Sequence, residues 1–279
     1  MQSEVGSSEQ RPSPPPSAAL RESELLALKV TGLKKSFGGV TAVRGIDFSV
    51  AAGESVALIG PNGAGKTTSF NLVNGQLMPD EGRVMLYGDD ITGMQPEALF
   101  RKGVARTFQI SATFGSMTVR ENVQLALISH ARSAASVLSW ASRQHVAQAV
   151  SLLADVGLAE QGTRLASELA YGDLKRLELA VALGNEPRLL LMDEPTAGMS
   201  ATEREALMKL AVSVCRTRSV ALLFTEHDMD VVFTFSDRII VMNRGRIIAN
   251  GTPAEIRDNA EVRAVYLGGV KIDGVAPHA

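Results

Sequence analysis

The apolar run Ser55–Ile59, followed at once by Gly60-Pro61-Asn62-Gly63-Ala64-Gly65-Lys66-Thr67-Thr68, constrains the fold more than any other feature. A compact hydrophobic stretch ending in a glycine-rich turn reads as a buried strand feeding a loop. A helix is predicted next, over residues 66–74. Residues 60–67 fit G-x-x-x-x-G-K-[ST] at every position. Glycines let successive backbone N–H groups curl inward at phosphate oxygens. The following helix turns its positive end toward the same anion. Lys66 is then expected at the β- and γ-phosphates, and the Thr67 hydroxyl at Mg²⁺.

Around this unit the pattern alternates. Strands are predicted at 26–30, 46–50, 82–87 and 104–108. Between 110 and 184 the spacing turns helical, with helices at 119–129, 145–156 and 174–183. Strands return at 188–192, 220–224, 238–242 and 246–250, with helices at 202–215 and 229–235 between the first three. Alternating strands and helices imply a largely parallel sheet covered on both faces. The expected fold is therefore α/β: a P-loop NTPase core, residues 25–109 and 185–250, with an edge antiparallel β region. A helical subdomain, 110–184, is inserted into it. Residues 251–279 form a C-terminal extension. Residues 1–24, rich in Ser, Pro, Gln and Glu, read as a disordered tail. A chain of 279 residues with 45% hydrophobic content is long enough for one such core and its subdomain.

Composition narrows the partners. A net charge of −2 does not favour nucleic acid, which calls for a basic patch. Cys215 is the only cysteine, so no internal disulfide can form, which fits a reducing compartment. It reads as a small apolar residue on a helix. The N-terminal residues have neither the basic start nor the apolar segment of a signal peptide. No apolar stretch reaches the ~18 residues that a membrane helix needs. Work at a membrane would require a separate chain to span it.

A second chemical unit begins at Leu189–Met192, four apolar residues followed by Asp193, Glu194 and Pro195. Asp193 is expected to hold Mg²⁺ through its water shell, as the acidic partner of a phosphate loop. Glu194 falls at the carboxyl end of the strand, where ligands gather in open α/β sheets. That position suits a general base acting on the attacking water.

Three further motifs give these two units their order. Gln109 follows a strand in Thr107-Phe108-Gln109. Leu169-Ala170-Tyr171-Gly172-Asp173 precedes the acidic strand, and Phe224-Thr225-Glu226-His227 ends a later one. Phosphate loop, Q-loop, signature, acidic strand and switch histidine, in that sequence, resemble an ABC ATPase over about residues 25–268. The resemblance implies ATP and Mg²⁺ as cofactors. It implies that Gln109 ligates Mg²⁺ or the attacking water, and that His227 holds the γ-phosphate and orients Glu194. Phe37 matches the aromatic that stacks on adenine, although ordinary core packing would also explain it. Ala170, Tyr171, Gly172 and Asp173 occupy the signature, which faces the nucleotide of a second chain. It departs from Leu-Ser-Gly-Gly-Gln: Ala170 lacks the serine hydroxyl, Tyr171 replaces the first glycine and Asp173 the glutamine. Phosphate contacts then fall to Gly172 and neighbouring N–H groups. Ser200 stands where many relatives carry aspartate.

Leu-Ala-Tyr-Gly followed by Arg176-Leu177-Glu178-Leu179-Ala180 is similar to the ATPases of branched-chain amino acid importers. So are Ala105–Gln109, Met117–Val123, Glu226–Met229 and Val265-Tyr266-Leu267-Gly268. The likeness implies two ATPase chains at the cytoplasmic face of a membrane, two transmembrane permease chains and a substrate-binding protein. An ATPase of lipid or lipopolysaccharide export would share every nucleotide motif. A soluble ABC regulator would usually carry two cassettes or a long coiled coil. A P-loop kinase would lack the signature and the histidine.

Overall fold

The computed structural model describes residues 26–107, 113–130 and 145–267. The N-terminal tail and Gln109 lie outside them. Two long strands, β1 (Leu26–Phe37) and β2 (Val40–Ala51), pair antiparallel. Next, β3 (Ser55–Ile59) delivers the glycine loop to α1 (Lys66–Val73). β4 (Glu81–Leu86), β5 (Asp89–Asp90), α2 (Pro96–Arg101) and β6 (Val104–Thr107) follow. The helical segment holds α3 (Val119–His130), α4 (Val146–Asp155) and α5 (Tyr171–Leu183). The chain returns through β7 (Leu189–Asp193), α6 (Ala201–Thr217), β8 (Ala221–Thr225), α7 (Met229–Phe235), β9 (Arg238–Asn243) and β10 (Arg246–Gly251). Two short helices, α8 (Pro253–Asp258) and α9 (Ala260–Leu267), come last.

These strands make two sheets. One is antiparallel, in the order β2-β1-β4-β5; the other runs β10-β9-β3-β8-β7-β6. Within the second, β3, β9, β8, β7 and β6 are parallel, and only β10 is antiparallel. The parallel strands are apolar nearly throughout because both their faces are covered. Alternate residues serve different cores. Ala57, Ile59, Leu190, Met192, Leu222 and Phe224 pack with α6, α7 and the helical segment. Val56, Leu58, Leu189, Leu191 and Leu223 pack with α1 and the antiparallel sheet. Cys215 sits buried in the first core, and desolvation pushes its thiol up to about 12. It is a packing residue that does not ionise at neutral pH.

The second sheet sets the site. β3, β8 and β7 are adjacent and parallel, so their carboxyl ends open at one edge. Those ends carry the glycine loop, His227, and Asp193 with Glu194.

Several elements differ from the sequence expectation. The antiparallel sheet is larger than an edge region, because β2 runs for 12 residues where only 46–50 was foreseen. α5 begins at Tyr171 rather than 174, because Ala170 already has extended dihedrals (φ −62°, ψ 155°) and acts as N-cap. α2, α8 and α9 were not foreseen. α8 carries a capping box, with Thr252 and Glu255 each bonding the other's backbone N–H, and Pro253 at its first turn. Ser200 has the same role at α6: Glu203 Oε2 accepts from Ser200 N at 3.0 Å and Ser200 Oγ accepts from Glu203 N at 3.4 Å. Serine and aspartate both satisfy first-turn N–H groups, so the change from aspartate leaves a competent cap.

Candidate active site

The loop from Gly60 to Gly65 has no room for side chains at its two ends. A Cβ on Gly60 would lie 2.3 Å from the Met242 carbonyl oxygen, and one on Gly65 2.6 Å from that of Ala42. Gly65 also has φ +103°, a conformation that L side chains rarely adopt. Ala64 N donates back to Pro61 O at 3.1 Å, closing the turn. Lys66 is buried and donates to Gly60 O at 2.6 Å and Pro61 O at 3.2 Å. Desolvation lowers its pKa, while the charges of Glu194 and Asp193 oppose that shift. Thr67 is exposed at the helix start and Thr68 half-buried. Burial pushes the phenol of Tyr266 in α9 well above its usual range, and the nearby backbone of Gly60 partly offsets that. The C-terminal helix thus reaches the phosphate loop.

Asp193 and Glu194 leave β7 in opposite environments. Asp193 keeps 11% side-chain exposure and is gripped on both oxygens. Thr225 Oγ1 donates to Oδ1 at 2.7 Å, and Arg106 Nη2 donates to Oδ2 at 2.8 Å. Arg106 Nη1 also donates to Asn71 Oδ1 and Gln76 Oε1, both at 2.9 Å. This one guanidinium joins the end of α1 to the acidic strand. Glu194 has φ +48° and its N–H reaches both the carbonyl and the hydroxyl of Thr225 at 3.1 Å. A positive φ at a non-glycine residue is a strained arrangement that such a site can hold in place. Its carboxylate, 30% exposed, meets His227 Nε2 at 2.7 Å.

The other expected residues are placed as follows. Phe37 is 46% exposed and belongs to neither core, which removes core packing as its explanation. The Lys35 ammonium lies 5.7 Å from its ring centroid. The hairpin that carries Phe37 leans on the phosphate loop through Ala42 and Gly65. Ala170 makes no side-chain cap bond at α5. Asp173 is engaged within its own chain, accepting from Gln161 Nε2 at 2.9 Å. Tyr171 donates its hydroxyl to Ala197 O at 3.1 Å.

Arg106, Thr225 and Tyr266 were not read from the sequence as site residues. Arg106 had the clearest available signal, a cation on the strand ahead of Gln109. Replacing it with leucine removes the hydrogen-bonded ion-pair partner of the Asp193 carboxylate. We expect Arg106→Leu to cost about 3 kcal/mol of stability, the lower end for breaking a buried pair. Urea unfolding measures it, and an unchanged midpoint would show the pair to be energetically idle.

A glycine loop, a buried lysine and two carboxylates at one edge of a parallel sheet define a P-loop nucleoside triphosphatase. Comparison with known proteins makes the assignment narrower. A family model described as ABC transporter matches residues 43–197, and one described as branched-chain amino acid ATP-binding cassette transporter matches 246–271. A high-affinity branched-chain amino acid transport ATP-binding protein of Pseudomonas aeruginosa, BraF, is 40% identical, over 86% of this chain and 97% of its own. Its counterpart LivG of Escherichia coli is 39% identical with the same coverage. Among solved structures, a nucleotide-free ATP-binding cassette from an ABC transporter superposes with a TM-score of 0.76 at 31% identity. It covers 86% of this chain and 98% of the other. An ATP-binding cassette in its ADP conformation gives 0.78 at 30%, covering 87% and 99%. The chain belongs to the ABC transporter family, as one of its ATP-binding subunits. It is an ATPase. No helix among the described residues is long and apolar enough to cross a membrane.

Proposed function

We propose that this chain hydrolyses magnesium-bound ATP to power uptake of branched-chain or related amino acids. It acts at the cytoplasmic face of a membrane, paired with a second ATPase chain and docked on separate permease subunits that receive cargo from a binding protein. The observation that carries hydrolysis is the 2.7 Å contact of His227 Nε2 with Glu194 Oε1, beside the phosphate loop. The cargo reading rests on the C-terminal match over 246–271 and on the transport named for the relatives.

Each residue has a role in this reading. Phe37 offers an exposed ring to adenine. Residues 60–68 wrap the phosphates, and Lys66 exchanges the Gly60 and Pro61 carbonyls for β- and γ-phosphate oxygens. Thr67 and Asp193 supply hydroxyl and carboxylate oxygens. That donor set fits magnesium, a hard cation that takes few protein ligands and shares substrate phosphates. Bound magnesium neutralises phosphate charge during transfer. Gln109, outside the described residues, contributes its amide to the metal or the water. Glu194 takes the proton of the attacking water, and His227 fixes the carboxylate and contacts the γ-phosphate. Ala170 to Asp173 face the nucleotide of the partner chain, closing the site from above.

Reconstitution with candidate permease and binding-protein subunits tests the cargo. Labelled leucine, isoleucine or valine should accumulate only when ATP, the binding protein and this chain are all present. Outward lipid movement with no amino acid accumulation would replace this reading by the exporter one.

A further inference from the structure

Tyr171 combines two properties that do not usually go together. Its side chain is among the most exposed large apolar groups, at 48%, yet its hydroxyl is committed to one acceptor, Ala197 O, at 3.1 Å. That acceptor lies in the turn that leaves the catalytic carboxylates. Ala197 N in turn donates to Glu194 O at 3.2 Å, so two consecutive hydrogen bonds connect the first residue of α5 to Glu194. The turn is anchored on its other side too. Thr196 donates to Glu226 Oε1 through its N–H at 3.0 Å and its hydroxyl at 2.7 Å. Glu226 Oε2 accepts from His227 N at 3.2 Å. Ala197 therefore belongs to a small rigid frame holding both Glu194 and His227.

The ring is held as well as the hydroxyl. Lys175, one turn further along α5, places its ammonium 5.5 Å from the ring centroid. Lys175 is itself fixed by Glu178 at 3.0 Å, and both are buried. A cation fixed in this way gives the ring an oriented partner, so the hydroxyl does not search a large volume. Gly198 has φ +79°, and even a Cβ placed there would stand 4.0 Å from the Tyr171 ring, so the turn does not crowd it.

We propose that Tyr171 is a positioning residue that couples this chain's own catalytic turn to the signature segment it presents to a partner. Residues 169–173 and the Glu194 turn move as one body through this hydroxyl. A change at Glu194 is thereby transmitted to the second nucleotide site. The inference rests on the reading of Glu194 as base and of the signature as facing a partner chain. The hydroxyl is spent on Ala197 O, so its loss should alter catalysis while nucleotide binding by the single chain is kept.

Tyr171→Phe keeps the ring, its packing and the Lys175 contact, and removes only the hydroxyl. With the full chain, kcat for ATP should fall by about 3- to 10-fold, the value of one well-formed hydrogen bond. The Hill coefficient for ATP should fall toward one, while the Kd for a fluorescent ATP analogue, measured at concentrations where the chain is monomeric, and the unfolding midpoint stay at wild-type values. Unchanged kcat and Hill coefficient would overturn the proposal. So would a parallel loss of kcat, nucleotide affinity and stability, which a purely structural tyrosine would give. Glu194→Gln, assayed alongside, separates the two levels. Wild-type turnover in that variant removes the reading beneath the proposal, whatever Tyr171→Phe does.

Discussion

Glu194→Gln should bind ATP about as tightly as the wild type and slow the chemical step by about 10²–10⁴-fold, the usual contribution of a general base. The amide keeps the size of the carboxylate and can still meet His227, which now lies 2.7 Å from Oε1. What it loses is the capacity to accept a proton. It also removes a negative charge that acts on Lys66, and so a repulsion toward the γ-phosphate. Bound ATP should therefore persist and hold two chains in a closed sandwich. Size-exclusion chromatography with Mg-ATP reads the association, and phosphate release reads the chemistry. A variant that stops hydrolysis but remains monomeric points to a different ATPase chain as the productive partner.

Lys66→Ala should fail earlier, at binding. The ammonium is already stripped of much of its water, so its contact with phosphate is charge-assisted in a poorly screened place. Each such contact is worth about 1.5–3 kcal/mol, roughly 10- to 100-fold in affinity. With two phosphates losing their lysine, both ATP affinity and turnover should collapse. Titration with a fluorescent nucleotide checks this. Wild-type affinity would show that residues 60–68 do not hold the phosphates. The two variants thus divide the reaction: one binds and does not cleave, the other does not bind.

The sequence carried the local parts of this site and missed the distant ones. Gly60 to Thr68 and the LLLMDE run announce themselves because strand, loop and ligand groups are consecutive. His227 and Glu194 are 33 residues apart and were linked only through family order, yet the strands bring them side by side: β7 pairs β8 with Asp193 opposite Thr225. Arg106 and Asp193, 87 residues apart, left no comparable trace, since a strand-borne arginine reads equally well as a solvated residue. β1 and β2 were under-read because their pairing shifts register at Leu26/Leu28, Val30/Leu33, Leu33/Lys34 and Lys35/Ser36, breaking the period-two alternation on which strand reading depends. α2 and α8, six residues each, are too short to display a helical face. The start of α5 was placed late because Tyr171 and Gly172 look like a loop; the extended Ala170 decides otherwise.

The most direct measurement is the identity of the nucleotide that stays on Glu194→Gln. The variant is mixed with Mg-ATP, freed of excess nucleotide, quenched in acid and analysed for ATP and ADP. Retained nucleotide that is almost entirely ATP, against ADP on the wild type under the same conditions, is the result expected if Glu194 withdraws the proton from water. ADP on both proteins would mean that the base is another group, and that the Glu194–His227 contact serves some purpose other than cleavage.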